Sequence, residues 1–248
     1  MSVSLQPVRI LKKNQLIYGI SNSSIGNIDT RFGNKKQALS NREKLASLLG
    51  IKTINIYEME QVHGSKIEVI TQAKKHVFKN KEVAKTDGLI TNIPGIYLMV
   101  KTADCFPVLM VDLKNRVIAA VHVGWRGAIQ KNFLTALIKM MHQFSTKLEN
   151  VLVGIGPGIE ACCFKHKSLI QKKLPEWIPY IKKDKNNWKS LDLKKFIIDN
   201  LKTVGVLNKN IETTNICTNC SSQYFSHFKS LQAKKPEARF ATIIGLKN

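Results

Sequence analysis

The sequence predicts an α+β fold: mixed β-sheets packed with helices in a single domain, a layered α/β sandwich spanning residues 1–248. Three observations predict it. The 248 residues are 44% hydrophobic, enough for one large core. Short apolar runs of strand character are interleaved with longer segments whose apolar residues recur at helical spacing. No internal repeat and no Pro-, Gly- or Ser-rich linker divides the chain.

Residues 15–20 (QLIYGI) read as a strand and 21–34 (SNSSIGNIDTRFGN) as a loop rich in Gly, Ser and Asn. Asn41 is placed to N-cap a helix over REKLASLLG that stops at Gly50. Strands follow near 53–59 and 66–71, with the tight connection Gln61-Val62-His63-Gly64 between them. The Lys-rich stretch 72–85 reads as a mobile loop, and TDGLITN (86–92) and GIYLMVKT (95–102) as a short and a longer strand. Phe133, Leu134, Leu137, Ile138, Met141 and Phe144 fall on one face of a helix over 128–145. Residues 151–164 run from a strand into a Gly/Pro turn, 191–204 form an amphipathic helix, and 210–216 and 238–246 are strands.

Two apolar runs, KTADCFPVLM (101–110) and VIAAVHVGWRG (117–127), carry chemistry at their ends. The polar turn Asp112-Leu113-Lys114-Asn115 makes them a hairpin. A turn symmetric about Leu113 and Lys114 sets Cys105 directly across from His122, with Cβ atoms about 4.5–5.5 Å apart. That separation suits a shared metal ion or a thiolate–imidazolium pair. Arg126 follows in Gly124-Trp125-Arg126-Gly127, a Gly-rich loop opening a helix, where backbone N–H groups and a guanidinium suit a phosphate or carboxylate. Cys105, His122 and Arg126 are therefore the catalytic candidates. Gly154-Ile155-Gly156-Pro157-Gly158 is a second turn of that kind. Cys217-Thr218-Asn219-Cys220 is a lone C-x-x-C, and Cys162-Cys163 is adjacent rather than spaced by two, so these four are assigned to packing rather than to zinc or redox chemistry. His76, His142 and His166 are read as surface residues, and His227 as lining a cavity.

Composition narrows the function classes. Lys and Arg number 39 against 17 Asp and Glu, a net charge of +22, but 33 of the 39 are Lys spread as short pairs. No RNP-like aromatic pattern and no zinc-finger spacing accompanies them, which argues against nucleic acid as partner; the field still attracts anions such as phosphate. No apolar run of about 18 residues predicts a membrane span. MSVSLQPVRILKKNQL has no signal-peptide h-region, and five cysteines at these spacings form no disulfide framework. The expectation is a cytoplasmic protein in a reducing compartment.

The segments Gln61-Val62-His63-Gly64, Thr86-Asp87-Gly88-Leu89-Ile90-Thr91, Thr102-Ala103-Asp104-Cys105-Phe106-Pro107, His122-Val123-Gly124-Trp125-Arg126-Gly127 and Ile155-Gly156-Pro157-Gly158-Ile159 with Cys162-Cys163-Phe164 occur together and in order. In these the chain resembles the laccase-domain family, also called the YfiH or multicopper polyphenol oxidoreductase family, whose members are described as purine nucleoside phosphorylases. The resemblance implies zinc, with copper as the other metal, held by His63, Cys105 and His122. Three ligands with an open fourth position is the pattern of a catalytic zinc. It also implies phosphorolysis of adenosine, inosine, guanosine and methylthioadenosine with phosphate, and hydrolytic deamination of adenosine.

The chain departs from the family pattern at its edges. Arg31 lies in SNSSIGNIDTRFG without a Gly-Gly pair, Lys165 replaces a usual Glu, the segment Ser226-His227-Phe228-Lys229 lacks an Arg, and Ala238 replaces the Gly before Arg239. Three other chemistries are weighed. A cysteine hydrolase would use Cys105 as nucleophile and His122 as base, oriented by a third group. A copper-dependent polyphenol oxidase of the multicopper type would need His-x-His pairs, and the six histidines include none. A nucleic-acid-binding module rests on charge alone.

Overall fold

A computed structural model of the chain describes residues 11, 13–75, 78 and 81–247. His76 and most of the N-terminal stretch read for a leader lie outside the described residues. In chain order the strands are β1 (Leu16–Ile20), β2 (Ile56–Met59), β3 (Ile67–Ile70), β4 (Glu82–Val83), β5 (Gly88–Thr91), β6 (Tyr97–Thr102), β7 (Phe106–Asp112), β8 (Val117–Val123), β9 (Val151–Ile155), β10 (Lys165–His166), β11 (Ile181–Lys183), β12 (Lys189–Leu191), β13 (Ile211–Thr213) and β14 (Phe240–Leu246). The helices are α1 (Lys35–Leu49), α2 (Trp125–Ile129), α3 (Asn132–Phe144), α4 (Leu193–Thr203) and α5 (His227–Ala233).

Two large mixed sheets form the centre, ordered β1-β14-β6-β2-β4 and β13-β9-β7-β8-β5-β3. A small third sheet, β10-β12-β11, occupies a segment to which the sequence assigned no strands. Side chains alternate across a strand, and both faces of the six-stranded sheet are apolar. Leu109, Val111, Ile118 and Ala120 point toward the five-stranded sheet, where they pack with Tyr57, Leu98 and Ile244. Val108, Met110, Val117, Ala119 and Val121 face the other way, onto Phe133 and Leu137 of α3 and Phe196 and Ile197 of α4. Leu45 of α1 covers the outer face of the five-stranded sheet with Met99 and Ile243. The result is a helix–sheet–sheet–helix sandwich, the layered α+β class that the sequence predicts. Among the described residues no helix is long and apolar enough to cross a membrane.

Several boundaries differ, each for a local reason. Helix α1 starts earlier than predicted because Asn34 is its N-cap, accepting from the Gln37 amide at 3.0 Å. Asn41 is instead a buried mid-helix residue donating to the Asn27 carbonyl at 2.7 Å. The helix predicted over 128–145 is two helices, broken at Lys131 in the left-handed region (φ 51°). Its buried face is Phe133, Ala136, Leu137 and Met140, leaving Ile138 and Met141 exposed. Within the stretch read as a mobile loop, β4 pairs with β2.

The hairpin β7–β8 forms, but with a register other than the one predicted. Asp112 is the last strand residue, paired with Val117, and its carboxylate caps the turn by accepting from the Lys114 and Asn115 amides at 3.0 and 3.2 Å. Arg116 closes the turn in the left-handed region (φ 51°). Pro107, not Cys105, therefore stands opposite His122, and Cys105 lies one residue before the strand.

Glu58 of β2 ties α1 to the five-stranded sheet. Its carboxylate accepts from both terminal nitrogens of Arg42 at 2.7 and 3.0 Å and from Lys101 Nζ at 2.5 Å. Burial alone would raise the Glu58 carboxyl, but the charges and hydrogen bonds of Lys101 and Arg42 outweigh it and hold it below the ordinary range. A group held low stabilises the fold at pH above its unfolded value, and that stabilisation is lost as pH falls through the lower folded value. Glu58→Gln strands the buried Lys101 ammonium and is expected to cost about 3–5 kcal/mol in urea unfolding at pH 7. The gap between wild type and variant should narrow in acid below about pH 4; a gap independent of pH would contradict this account.

Candidate metal centre and its cavity

His63, Cys105 and His122 converge from three segments. Their ligand atoms all lie within 4.8 Å of one another. His122 shares with Ile118 and Ala120 the face of β8 that looks between the sheets, and it comes at the strand's end, where the apolar layer gives way to a cavity. The His63 and His122 rings meet edge to face with centroids 4.8 Å apart. Gly124 makes the approach possible: a Cβ there would stand 2.9 Å from Cys105 Sγ and 3.0 Å from His63 Cδ2.

Asp87, to which the sequence reading gave no role, organises the set. Its carboxylate accepts from the amides of Val62, His63 and Gly64 at 3.2, 2.9 and 2.7 Å. This bends the His63 backbone into the left-handed region (φ 60°). The same carboxylate meets His122 Nδ1 at 2.7 Å. Donation from Nδ1 leaves Nε2 as the ligating nitrogen, the usual second support of a metal-bound imidazole. Burial would raise Asp87, but the His122 hydrogen bond and charge, with the Gly64 and Val62 amides, hold it below its ordinary value. Asn132, at the start of α3, adds a brace by donating to the Gly64 and His122 carbonyls at 3.1 and 2.9 Å.

Burial pushes the Cys105 thiol up, yet the charge and hydrogen bond of His122, joined by His63, bring it down to about 6. Burial likewise pushes His122 down, while the Cys105 thiolate and Asp87 lift it to about 9. The pocket thus favours a thiolate at neutral pH. One thiolate and two imidazoles match the donor set of zinc or copper.

Asp104 is a clamp. It sits in the left-handed region (φ 86°), and its two carboxylate oxygens accept from Thr218 Oγ1 at 2.6 Å and the Phe228 amide at 2.8 Å. Its carbonyl accepts from the Ile159 amide at 2.7 Å. The second Gly-rich turn is no anion cradle: the Gly156 and Gly158 amides donate to the carbonyls of Pro107 and Ile216.

A cavity of about 550 Å³ opens over the three ligands. Arg31, Lys101, Arg126 and Arg239 line it, as do Phe32, Trp125, Phe164 and Phe228. Arg31 pairs with Asp29, Arg239 with Glu237 and Lys101 with Glu58. Arg126 has no carboxylate partner among the described residues; its guanidinium lies 4.7 Å from the Trp125 ring centroid. His166, read from sequence as a surface residue, lines the cavity and touches the Phe164 and Phe228 rings. His142 is exposed as expected, and His227 does line the cavity. Another concavity, of about 510 Å³, lies beside Arg42 and Glu58, and among the described residues no cluster of metal ligands lines it.

The sequence matches the family described as Multi-copper polyphenol oxidoreductase laccase over residues 17–247. The chain belongs to this family. It is 36% identical over 172 residues to a purine nucleoside phosphorylase of Clostridium acetobutylicum, covering 66% of this chain and 69% of that one. It is 28% identical over 220 residues to a purine nucleoside phosphorylase of Mycobacterium tuberculosis strain H37Rv, covering 88% and 83%. In fold it superposes on the crystal structure of the hypothetical protein YfiH of Bacillus licheniformis with a TM-score of 0.85, at 24% identity over 95% of this chain and 94% of that one.

Two substitutions test the arrangement. Cys105→Ala is expected to remove metal from this centre, measured by elemental analysis. Asp87→Asn frees His122 to turn and is expected to weaken metal affinity about 10–100-fold in competition with a chromophoric chelator. Unchanged affinity in Asp87→Asn would show that the carboxylate does not support the centre.

Proposed function

We propose that the protein is a zinc-dependent purine nucleoside phosphorylase acting on adenosine, inosine, guanosine and methylthioadenosine, with adenosine deamination as a companion activity. The observation that carries this reading is the position of Arg126. This arginine, with no carboxylate partner among the described residues, lines the same cavity as the His63–Cys105–His122 set. The names of the relatives point the same way.

In phosphorolysis a phosphate oxygen bonds to the sugar C1′ while the bond from C1′ to the purine nitrogen breaks. The purine leaves with the electron pair and takes up a proton, giving free base and ribose 1-phosphate. Arg126 supplies a planar fork for the phosphate. Arg31 and Arg239, turned toward their own carboxylates, add positive field without a free fork. Phe32, Trp125 and Phe228 offer faces for the flat purine. His63, Cys105 and His122 would hold the zinc, which supplies a Lewis acid with an open coordination position. Asp87 keeps His122 in the tautomer this needs, and Asp104 fixes the turn that presents Cys105.

A cysteine hydrolase is the second reading, favoured by one observation: Asp87, His122 and Cys105 form a carboxylate–imidazole–thiol line. It gives no account of His63, which closes on the same thiol. Copper would use the same donors.

Incubation with inosine should yield hypoxanthine and ribose 1-phosphate only when phosphate is present. Arg126→Ala should raise the phosphate requirement, lowering kcat/KM for phosphate about 10–100-fold, the worth of a charge-assisted hydrogen bond. Arg126→Lys should rescue part of it, keeping charge without the fork. Equal product without phosphate would identify a hydrolase. Full activity in stripped protein, abolished by thiol alkylation, would favour the cysteine nucleophile. Deamination is read separately as ammonia release from adenosine.

A further inference from the structure

Four cysteines that the sequence reading assigned to packing meet in one place, away from the first centre. Cys162, Cys163, Cys217 and Cys220 all present sulfurs within 4.8 Å of one another. Cys162 and Cys220 are exposed, so packing does not account for them; Cys163 and Cys217 are half-buried and rest against the edge of the core, with their sulfurs turned to the same cluster. The sulfur–sulfur distances are 3.8 Å for Cys162–Cys163, 3.7 Å for Cys162–Cys220 and 3.3 Å for Cys163–Cys220. A tetrahedral zinc with bonds of about 2.3 Å sets its sulfurs roughly 3.8 Å apart. The Glu160 amide donates to Cys217 Sγ at 3.5 Å, leaving that sulfur a partner that suits a thiolate.

We propose that these four cysteines form a second metal site, a closed tetrathiolate that binds zinc as a structural ion. Four protein sulfurs complete the coordination and leave no open position, which separates this site from the three-ligand centre. The ion would join two chain segments far apart in sequence. One is the turn after β9, the other the stretch after β13, and the backbone already brings them together at the Gly158–Cys217 bridge. Thr218 and Phe228, the two partners of Asp104, lie within or just beyond the second segment. Phe164, next to Cys163, meets Phe228 across the cavity with ring centroids 5.8 Å apart. The ion would therefore brace the cavity wall from behind. Four thiolates around one zinc leave two negative charges, which a protein of net charge +22 accommodates readily.

The alternative state of the same sulfurs is a disulfide, with Cys163–Cys220 the closest pair. The two outcomes separate cleanly, and neither depends on the first centre being correct. Protein purified anaerobically without chelator is analysed for zinc per chain and for disulfides by mapping of alkylated peptides. Wild type should show no disulfide, and the double variant Cys162→Ser/Cys220→Ser should carry one zinc ion fewer than wild type, whatever the first centre holds. Cobalt loaded into Cys105→Ala should give the intense sulfur-to-cobalt charge-transfer absorption of a tetrathiolate, and that absorption should vanish when Cys162→Ser is added. Stripping metal from Cys105→Ala should lower its melting temperature by about 5 °C or more. Should the double variant fail to fold, the cobalt spectrum and the melting shift of Cys105→Ala decide the matter. A Cys163–Cys220 disulfide in fresh protein would overturn the proposal. So would a Cys105→Ala protein that binds no zinc or cobalt, or whose melting is indifferent to stripping.

Discussion

A single buried carboxylate holds two of the three ligand segments at once. Asp87 takes the amides of residues 62–64 on one side and the His122 imidazole on the other. A carboxylate fully removed from water is costly unless its lone pairs are filled, and here three amides and a ring nitrogen fill them. The loop that carries His63 cannot relax without stranding that charge. The same interaction that makes Asp87 tolerable in the interior thus fixes the orientation of two imidazoles, and Gly124 leaves the space in which the Cys105 sulfur reaches them.

The layers around this point divide the labour. The inter-sheet face of β8 is apolar up to Ala120, then delivers His122 at the mouth of the sandwich. Glu58, Arg42 and Lys101 lock α1 and the five-stranded sheet together on one flank of the cavity. On the other flank Asp104 pins the Thr218 and Phe228 segment, so the wall that carries the aromatic rings is attached to the residue next to Cys105. Cations from distant parts of the chain, Arg31, Arg126 and Arg239, reach one cavity, and of these only Arg126 has no neutralising carboxylate among the described residues. The difference between a basic surface and an anion site lies in that pairing, not in the net charge.

Much was legible in the sequence because it is local. Alternating and continuous apolar runs marked β1, β6, β7, β8 and β14, and the polar turn after β7 marked a hairpin. Cys105, His122 and Arg126 stood out because thiol, imidazole and guanidinium interrupt apolar strands at their ends. His63 came from family resemblance, since nothing in Gln61-Val62-His63-Gly64 announces a ligand by spacing alone. The hairpin register was misread because Asp112 looks like the first turn residue, whereas its side chain caps the turn from the last strand position.

What the sequence determined by itself was the class of fold, the hairpin and the chemistry at its ends, all of which depend on residues within a few positions of one another. Only the tertiary structure decided which distant groups share a site. Asp87 is an unremarkable acidic residue until the loop at 62–64 closes over it. Arg239 reaches Phe32, with its guanidinium 4.3 Å from the ring centroid, only because β14 lies beside β1 and β6. Cys162 and Cys163 meet Cys217 and Cys220 only because Gly158 and Cys217 pair across the gap between two loops. Such encounters are set by sheet order and loop closure, and neither is encoded in the spacing of the residues that meet.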